Sequence, residues 1–112
     1  KLLQVLINLL QNAAYSIRKK DYSNGEGLIE ITSHASETHD RLVIRDNGMG
    51  ISPEHLSKVF EPFFTTKDVK EGMGLGLSIC YRSLEEHGGR ISVRSEPGQF
   101  AEFTLELPHK PL

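Results

Sequence analysis

Arg45-Asp46-Asn47-Gly48-Met49-Gly50-Ile51 is the stretch whose reading decides the fold. A strand-like run, Arg41-Leu42-Val43-Ile44-Arg45, leads into it, and a helix start, Ser52-Pro53-Glu54, follows. Glycine has no Cβ, so Gly48 and Gly50 let the backbone turn sharply or pass close to a flat ligand. Asp46, at the end of an apolar strand, can present a single charge to a pocket. Asp, Asn and Gly are also the commonest turn residues, and taken alone the stretch reads best as a turn.

Upstream, Leu2, Leu3, Val5, Leu6, Ile7, Leu9, Leu10, Ala13, Ala14 and Ile17 recur at three- and four-residue spacing. They predict an amphipathic helix running to about Lys19. Asn8 and Asn12 share one face of it, a turn apart, and two amides on a mostly buried helix need partners. Asp21 to Gly27 is polar and reads as a loop. Leu28 to His34 alternates like a strand, and Ala35 to Asp40 connects it to a second strand, Arg41 to Asp46.

Downstream, a short helix is predicted over Pro53 to Val59, with Ser52 as N-cap and Pro53 at the first helical position. Phe60-Glu61-Pro62-Phe63-Phe64-Thr65-Thr66-Lys67 is aromatic and then polar, and Asp68 to Gly72 reads as a charged loop. Gly72-Met73-Gly74-Leu75-Gly76-Leu77 opens a second amphipathic helix that stops at Gly88-Gly89. Two more strands follow, Arg90 to Ser95 and Phe100 to Leu107, joined by Glu96 to Gln99. This order predicts an α+β two-layer sandwich, helices on one face of a mixed, mostly antiparallel sheet.

The totals narrow the classes. A chain of 112 residues makes one domain. A net charge of −2 excludes a broad basic surface, so neither nucleic acid nor a membrane surface is an expected partner. Cys80 stands alone, which excludes an internal disulfide. No apolar run approaches the ~20 residues of a membrane span. The chain opens directly on an apolar helix without a signal sequence, so it is expected to be a piece of something longer.

The glycine run at 72–76 fails as a dinucleotide fingerprint, because the sixth positions from Gly72 and Gly74 are Leu77 and Ile79. A Walker-type loop is excluded, since no Gly-Lys-Ser/Thr follows. What remains is either a hinge or an anion site made by free N–H groups at a helix start. The stability cost of alternating glycines favours the anion site.

Together the pieces resemble one family. Asn8-Leu9-Leu10-Gln11-Asn12-Ala13, Asp46 to Gly50, Phe60 to Phe64 and Gly72 to Leu77 look like the N, G1, F and G2 boxes. These mark the ATP-binding domain of sensor histidine kinases, within the wider group that includes gyrase, Hsp90 and MutL. Their order and spacing match across nearly the whole chain. Phe63 to Lys67 resembles the nitrogen-regulation and C4-dicarboxylate type of sensor kinase.

The resemblance implies a Bergerat-type fold that binds ATP and Mg²⁺. Asp46 would accept a hydrogen bond from the adenine amino group, and Gly48 and Gly50 would leave room for the base edge. Asn12 would hold Mg²⁺ through its amide oxygen, with Asn8 beside it near the phosphates and a second candidate ligand. Gly72, Gly74, Leu75, Gly76 and Leu77 would close a lid over the phosphates, anchored by Phe60, Phe63 and Phe64. Many histidine kinases carry a basic residue where this chain has Tyr15, so Lys67, or else Arg18, is the expected phosphate partner.

In ATP-hydrolysing members of the wider group, Glu stands where this chain has Asn8. An amide cannot act as a base near neutral pH, so the γ-phosphate is expected to go to a histidine and not to water. His34, His39, His55, His87 and His109 all lack the context of a phosphoacceptor helix, so no catalytic residue is assigned within 1–112. The resemblance therefore implies a separate acceptor-histidine dimerisation domain, a response-regulator receiver domain as partner, and a homodimeric parent protein. It places this domain in the cytoplasm, whether or not the parent is membrane-anchored. An ATPase module of the Hsp90, gyrase or MutL kind and an anti-sigma-factor-like Ser/Thr kinase are the alternatives.

Overall fold

A computed structural model of the chain describes residues 2–20, 25–56, 58–61 and 76–109. Helix α1 (Leu2–Arg18) is followed by β1 (Ile29–Ala35), β2 (His39–Asp46), the single turn α2 (Pro53–Leu56), α3 (Gly76–Glu86), β3 (Arg90–Glu96) and β4 (Phe100–Pro108). The strands form one sheet in the order β1-β2-β4-β3, and all three pairings are antiparallel.

The two layers follow from side-chain alternation. Along β4, Ala101, Phe103 and Leu105 point inward and are buried, and in β2 Ile44 does the same. Val5 and Leu9 of α1, and Cys80 and Leu84 of α3, meet them from the helical side. The intervening strand residues make a charged outer face. Glu102 lies across from both Arg45 and Arg94 and pairs with them at 3.3 and 3.1 Å, while Arg90 and Glu106 pair at 3.3 Å. Phe100 packs beneath the Arg45 guanidinium, 3.9 Å from ring centroid to Cζ. Such a face is stable in water, so one covered face suffices, as antiparallel sheets allow.

Helix ends and turns depart from the sequence reading in small, explicable ways. The hairpin between β1 and β2 is tighter than expected, because the Ser36 hydroxyl accepts N–H bonds from Thr38 and His39 and lets pairing begin at His39. Helix α2 stops at Leu56, short of Val59. Ser52 does occupy its N-cap position, its carbonyl accepting from His55 and Leu56, but its hydroxyl is buried without a partner among the described residues. Helix α3 ends as the glycines predict. Gly88 adopts φ +77°, Gly88 N donates to Glu85 O at 3.0 Å and Gly89 N to Leu84 O at 2.8 Å, the paired bonds of a Schellman stop.

Strand β1 is the least covered element. Only Ile29 is partly buried; Ile31, on the same face, is 53% exposed. Beside it, between α1 and the far end of the sheet, lies an apolar groove of about 390 Å³. Among the described residues no helix is long and apolar enough to cross a membrane.

Candidate functional site

The alternation that buries Ile44 also turns Asp46 inward. It is 4% exposed, the buried charged side chain among the described residues. Burial pushes its carboxyl above the ordinary carboxylate value, partly offset by hydrogen bonds from Gly48 N–H and the Ser16 hydroxyl. Gly48 N donates to Asp46 Oδ1 at 2.9 Å. An acid is costly to bury, and these two donors leave other lone pairs of the carboxylate unused.

The turn after Asp46 is pinned from every side. Ser16 of α1 accepts Met49 N–H at 2.9 Å, and Ser95 of β3 accepts Ile51 N–H at 2.7 Å. Met49 O accepts Gly98 N–H at 2.7 Å, and Lys20 Nζ donates to Gly98 O at 2.9 Å and Asn47 O at 3.3 Å. Asn47 reaches the other way: its Oδ1 accepts Leu28 N–H at 2.7 Å and its Nδ2 donates to Glu26 O at 2.9 Å.

Both glycines have reasons inside the protein. A Cβ on Gly48 would stand 2.2 Å from Ser16 Oγ. Gly50 has φ +71°, and a Cβ there would stand 2.4 Å from Glu96 O. The sequence reading assigned them to clearance for a ligand; the structure assigns them at least equally to close approach of α1 and of the β3–β4 turn.

Asn8, Asn12 and Ser16 are spaced four apart and form one stripe along α1, about 12 Å from end to end. At one end Ser16 accepts the Met49 N–H of the turn that follows Asp46. At the other, Asn8 Nδ2 donates to Cys80 Sγ of α3 at 3.8 Å, while its Oδ1 accepts from Gln4 at 3.1 Å. Cys80 lies about one turn beyond Gly76, where α3 starts. Between them, the half-buried Asn12 amide makes no hydrogen bond among the described residues. A polar stripe thus runs from the buried acid to the first turn of α3, with an amide oxygen unspent midway.

Other expected positions divide in two. Leu77 is half-buried against the core, and Phe60 packs on Tyr81 and Phe103 with ring centroids 5.5 and 6.3 Å apart. Phe63, Phe64, Lys67, Gly72, Gly74 and Leu75 lie outside the described residues. Tyr15 is buried, with Lys19 Nζ 5.3 Å above its ring, and Arg18 is exposed. Sequence reasoning missed Ser16, Lys20 and Ser95. The spacing of Ser16 from Asn12 was a usable signal; nothing in the sequence marked the other two.

Asn12 suits Mg²⁺, which takes hard oxygen ligands and keeps one or two from protein beside substrate phosphates. No group of three or more His, Cys, Asp or Glu side chains able to hold a metal occurs among the described residues.

Residues 1–111 match the profile of the family described as histidine kinase-, DNA gyrase B- and HSP90-like ATPase. Over 109 residues the chain is 43% identical to the sensor protein SrrB of Staphylococcus aureus, a match that covers 94% of this chain and 18% of that protein. The nucleotide-free catalytic domain of the histidine kinase ThkA superposes with a TM-score of 0.78 at 40% identity, over 96% of this chain and 67% of that one. Full-length ShkA, solved in complex with AMPPNP, superposes with a TM-score of 0.79 at 32% identity, over 96% of this chain and 21% of that one.

Proposed function

The chain belongs to the histidine kinase-, DNA gyrase B- and HSP90-like ATPase family, and from that premise we propose the reaction it serves. It is the ATP-binding domain of a two-component sensor kinase, and its role is to pass the ATP γ-phosphate to a histidine on a separate domain for relay to a response regulator. The observation that carries the nucleotide site is the buried Asp46 carboxylate at the end of a polar stripe on α1. A 6-amino purine supplies the donor that its unused lone pairs call for. Gly48 and Gly50 border the base, Asn12 would hold Mg²⁺, and Asn8 and Gly76 to Leu77 face the phosphate end. Bound Mg²⁺ supplies charge neutralisation on the phosphates.

Transfer away from this domain is supported by where four of its five histidines sit. Strand pairing sets Ile29 opposite Asp46 but His34 opposite Arg41, and His39 opposite Pro108, so both lie about 17 Å or more along the sheet from the acid. His109 is held there too, its Nε2 2.9 Å from Asp40 Oδ1. His87 caps the far end of α3, its Nδ1 2.7 Å from Ser83 O. Asn8 offers no base to activate water. In a homodimeric parent, the acceptor helix comes from the same subunit or its partner, and the domain works in the cytoplasm. Lys67, with Gly72, Gly74 and Leu75, completes the phosphate end, and the nitrogen-regulation type remains the subtype that Phe63 to Lys67 supports.

Calorimetry of Mg-ATP with the wild type and Asp46→Asn tests the site. The variant is expected to lose at least tenfold in affinity, since an acceptor becomes an amide with the wrong donor pattern; unchanged affinity refutes the adenine assignment. Labelled ATP mixed with this chain and a separately made acceptor domain is expected to label histidine. Label on serine or threonine, or none, overturns the histidine-kinase reading.

A further inference from the structure

The turn after Asp46 is framed by one row of the sheet. Asp46 pairs with Ala101 of β4, and Ala101 with Ser95 of β3, so the three side chains share the inward face. Two strand spacings set Ser95 about 10 Å from the acid. Ala101 between them carries only a methyl group, which leaves Ser95 as the second polar side chain of the row. The chain leaves β2 at Asp46, turns through the two glycines and returns to the row at Ile51, whose N–H Ser95 Oγ accepts at 2.7 Å.

A serine hydroxyl carries one proton and two lone pairs. Ile51 N–H takes a lone pair, and the proton goes to Phe100 O at 2.8 Å, the nearer of two carbonyls, since Ile51 O stands at 3.3 Å. Ser95 thus joins the start of β4 to the end of the turn. The β3–β4 connection extends the contact: Gly98 N–H reaches Met49 O at 2.7 Å, and a Cβ on Gly50 would stand 2.4 Å from Glu96 O. Met49 is also held by Ser16, but the Ile51 N–H has no other acceptor among the described residues.

We propose that Ser95 is a positioning residue for the nucleotide base, fixing the far end of the turn whose near end is the Asp46 carboxylate. This rests on the adenine reading of Asp46. Glycine has no side chain to pack, so Gly48 and Gly50 lie where the two ends of the turn put them. Gly48 N–H is also a donor to Asp46 Oδ1, at 2.9 Å. A shift of the turn therefore moves a hydrogen bond on the acid as well as the backbone that borders the base. Without the Ser95 hydroxyl, Ile51 N–H loses its acceptor, and the turn must move to find another. The base then meets an acid and a turn that are no longer held at one spacing.

The test compares binding of ATP and inosine triphosphate, which differ at position 6 of the base, to the wild type, Ser95→Thr, Ser95→Val and Asp46→Asn. Threonine and valine share a branched shape and both suit a strand, so the difference between those variants reads the hydroxyl. The wild type is expected to prefer ATP, and Ser95→Thr to keep that preference. Ser95→Val should lose about three- to tenfold for ATP, with little change for inosine triphosphate, which brings no 6-amino group to the acid. A serine that served only stability would shift the urea midpoint and leave the ratio of the two affinities alone. On the unaltered protein, the Ile51 amide should exchange slowly, and more slowly again with ATP bound, so the idea stays testable if Ser95→Val folds poorly.

An equal loss of preference in Ser95→Thr and Ser95→Val overturns the role of Ser95, as does an Ile51 amide that exchanges freely or is indifferent to ATP. If Asp46→Asn abolishes the preference while Ser95→Val keeps it, only this inference falls. If the wild type shows no preference, or Asp46→Asn retains it, the adenine reading falls and takes this inference with it.

Discussion

Asp46 opposes folding and, on the proposed function, serves binding. Its carboxyl value in the folded state is raised, chiefly by desolvation. The folded protein therefore holds that proton more tightly than the unfolded chain, and ionisation works against folding. The cost is absent below the unfolded value of about 3.9 and complete once the pH passes the raised folded value. In the absence of nucleotide, Asp46→Asn is expected to raise the melting temperature measured at pH 8. The gain should vanish near pH 4; a gain that persists there would mean that charge is not its source. Gly50→Ala should go the other way, losing ~2–4 kcal/mol in urea unfolding, because a left-handed backbone and a carbonyl at 2.4 Å act together. Asp46 was legible because an acid ending an apolar strand breaks the pattern. The reason for Gly48 was not, since it depends on which helix residue crosses the turn.

At the scale of elements, the helices were readable from their periods and the strand ends only roughly. The stripe of α1 foretold Val5, Leu9 and Ala13 as core, yet Leu3 and Ile7 are 69% and 38% exposed. An apolar residue in a helix stripe is buried only where a neighbour covers it, and sequence period carries no information about the neighbour. The end of α3 was legible to the residue, because two glycines supply both bonds of its stop. Leu84, fully buried one turn before that stop, should cost ~2–5 kcal/mol as Leu84→Ala with an unchanged denaturant slope. Lys20 was opaque: a lysine after a helix end reads as solvated. Lys20→Met keeps the stem and removes both carbonyl contacts, so ATP affinity should fall about threefold by calorimetry while the urea midpoint barely moves.

The molecule as a whole is asymmetric about its sheet. One side is a charge ladder that needs no cover, the other a helical layer whose core ends before β1. The two-layer plan was legible because polar and apolar residues alternate so cleanly in the last two strands. What the sequence could not convey is how the layers are joined, since the ties are single hydroxyls, an amide and an ammonium that look like ordinary surface residues. One tie has a consequence for motion. Asn47 adjoins Asp46, yet its side chain grips Glu26 and Leu28, the residues that lead into an edge strand exposed over most of its length. If β1 cannot peel from the sheet without pulling that grip loose, nucleotide occupancy and amide protection are linked. Deuterium uptake at Glu30 to Ser33 should then slow in proportion to bound ATP, by up to the factor 1 + [L]/Kd. Uptake indifferent to ATP would mean that the edge breathes on its own and that the clasp is only local.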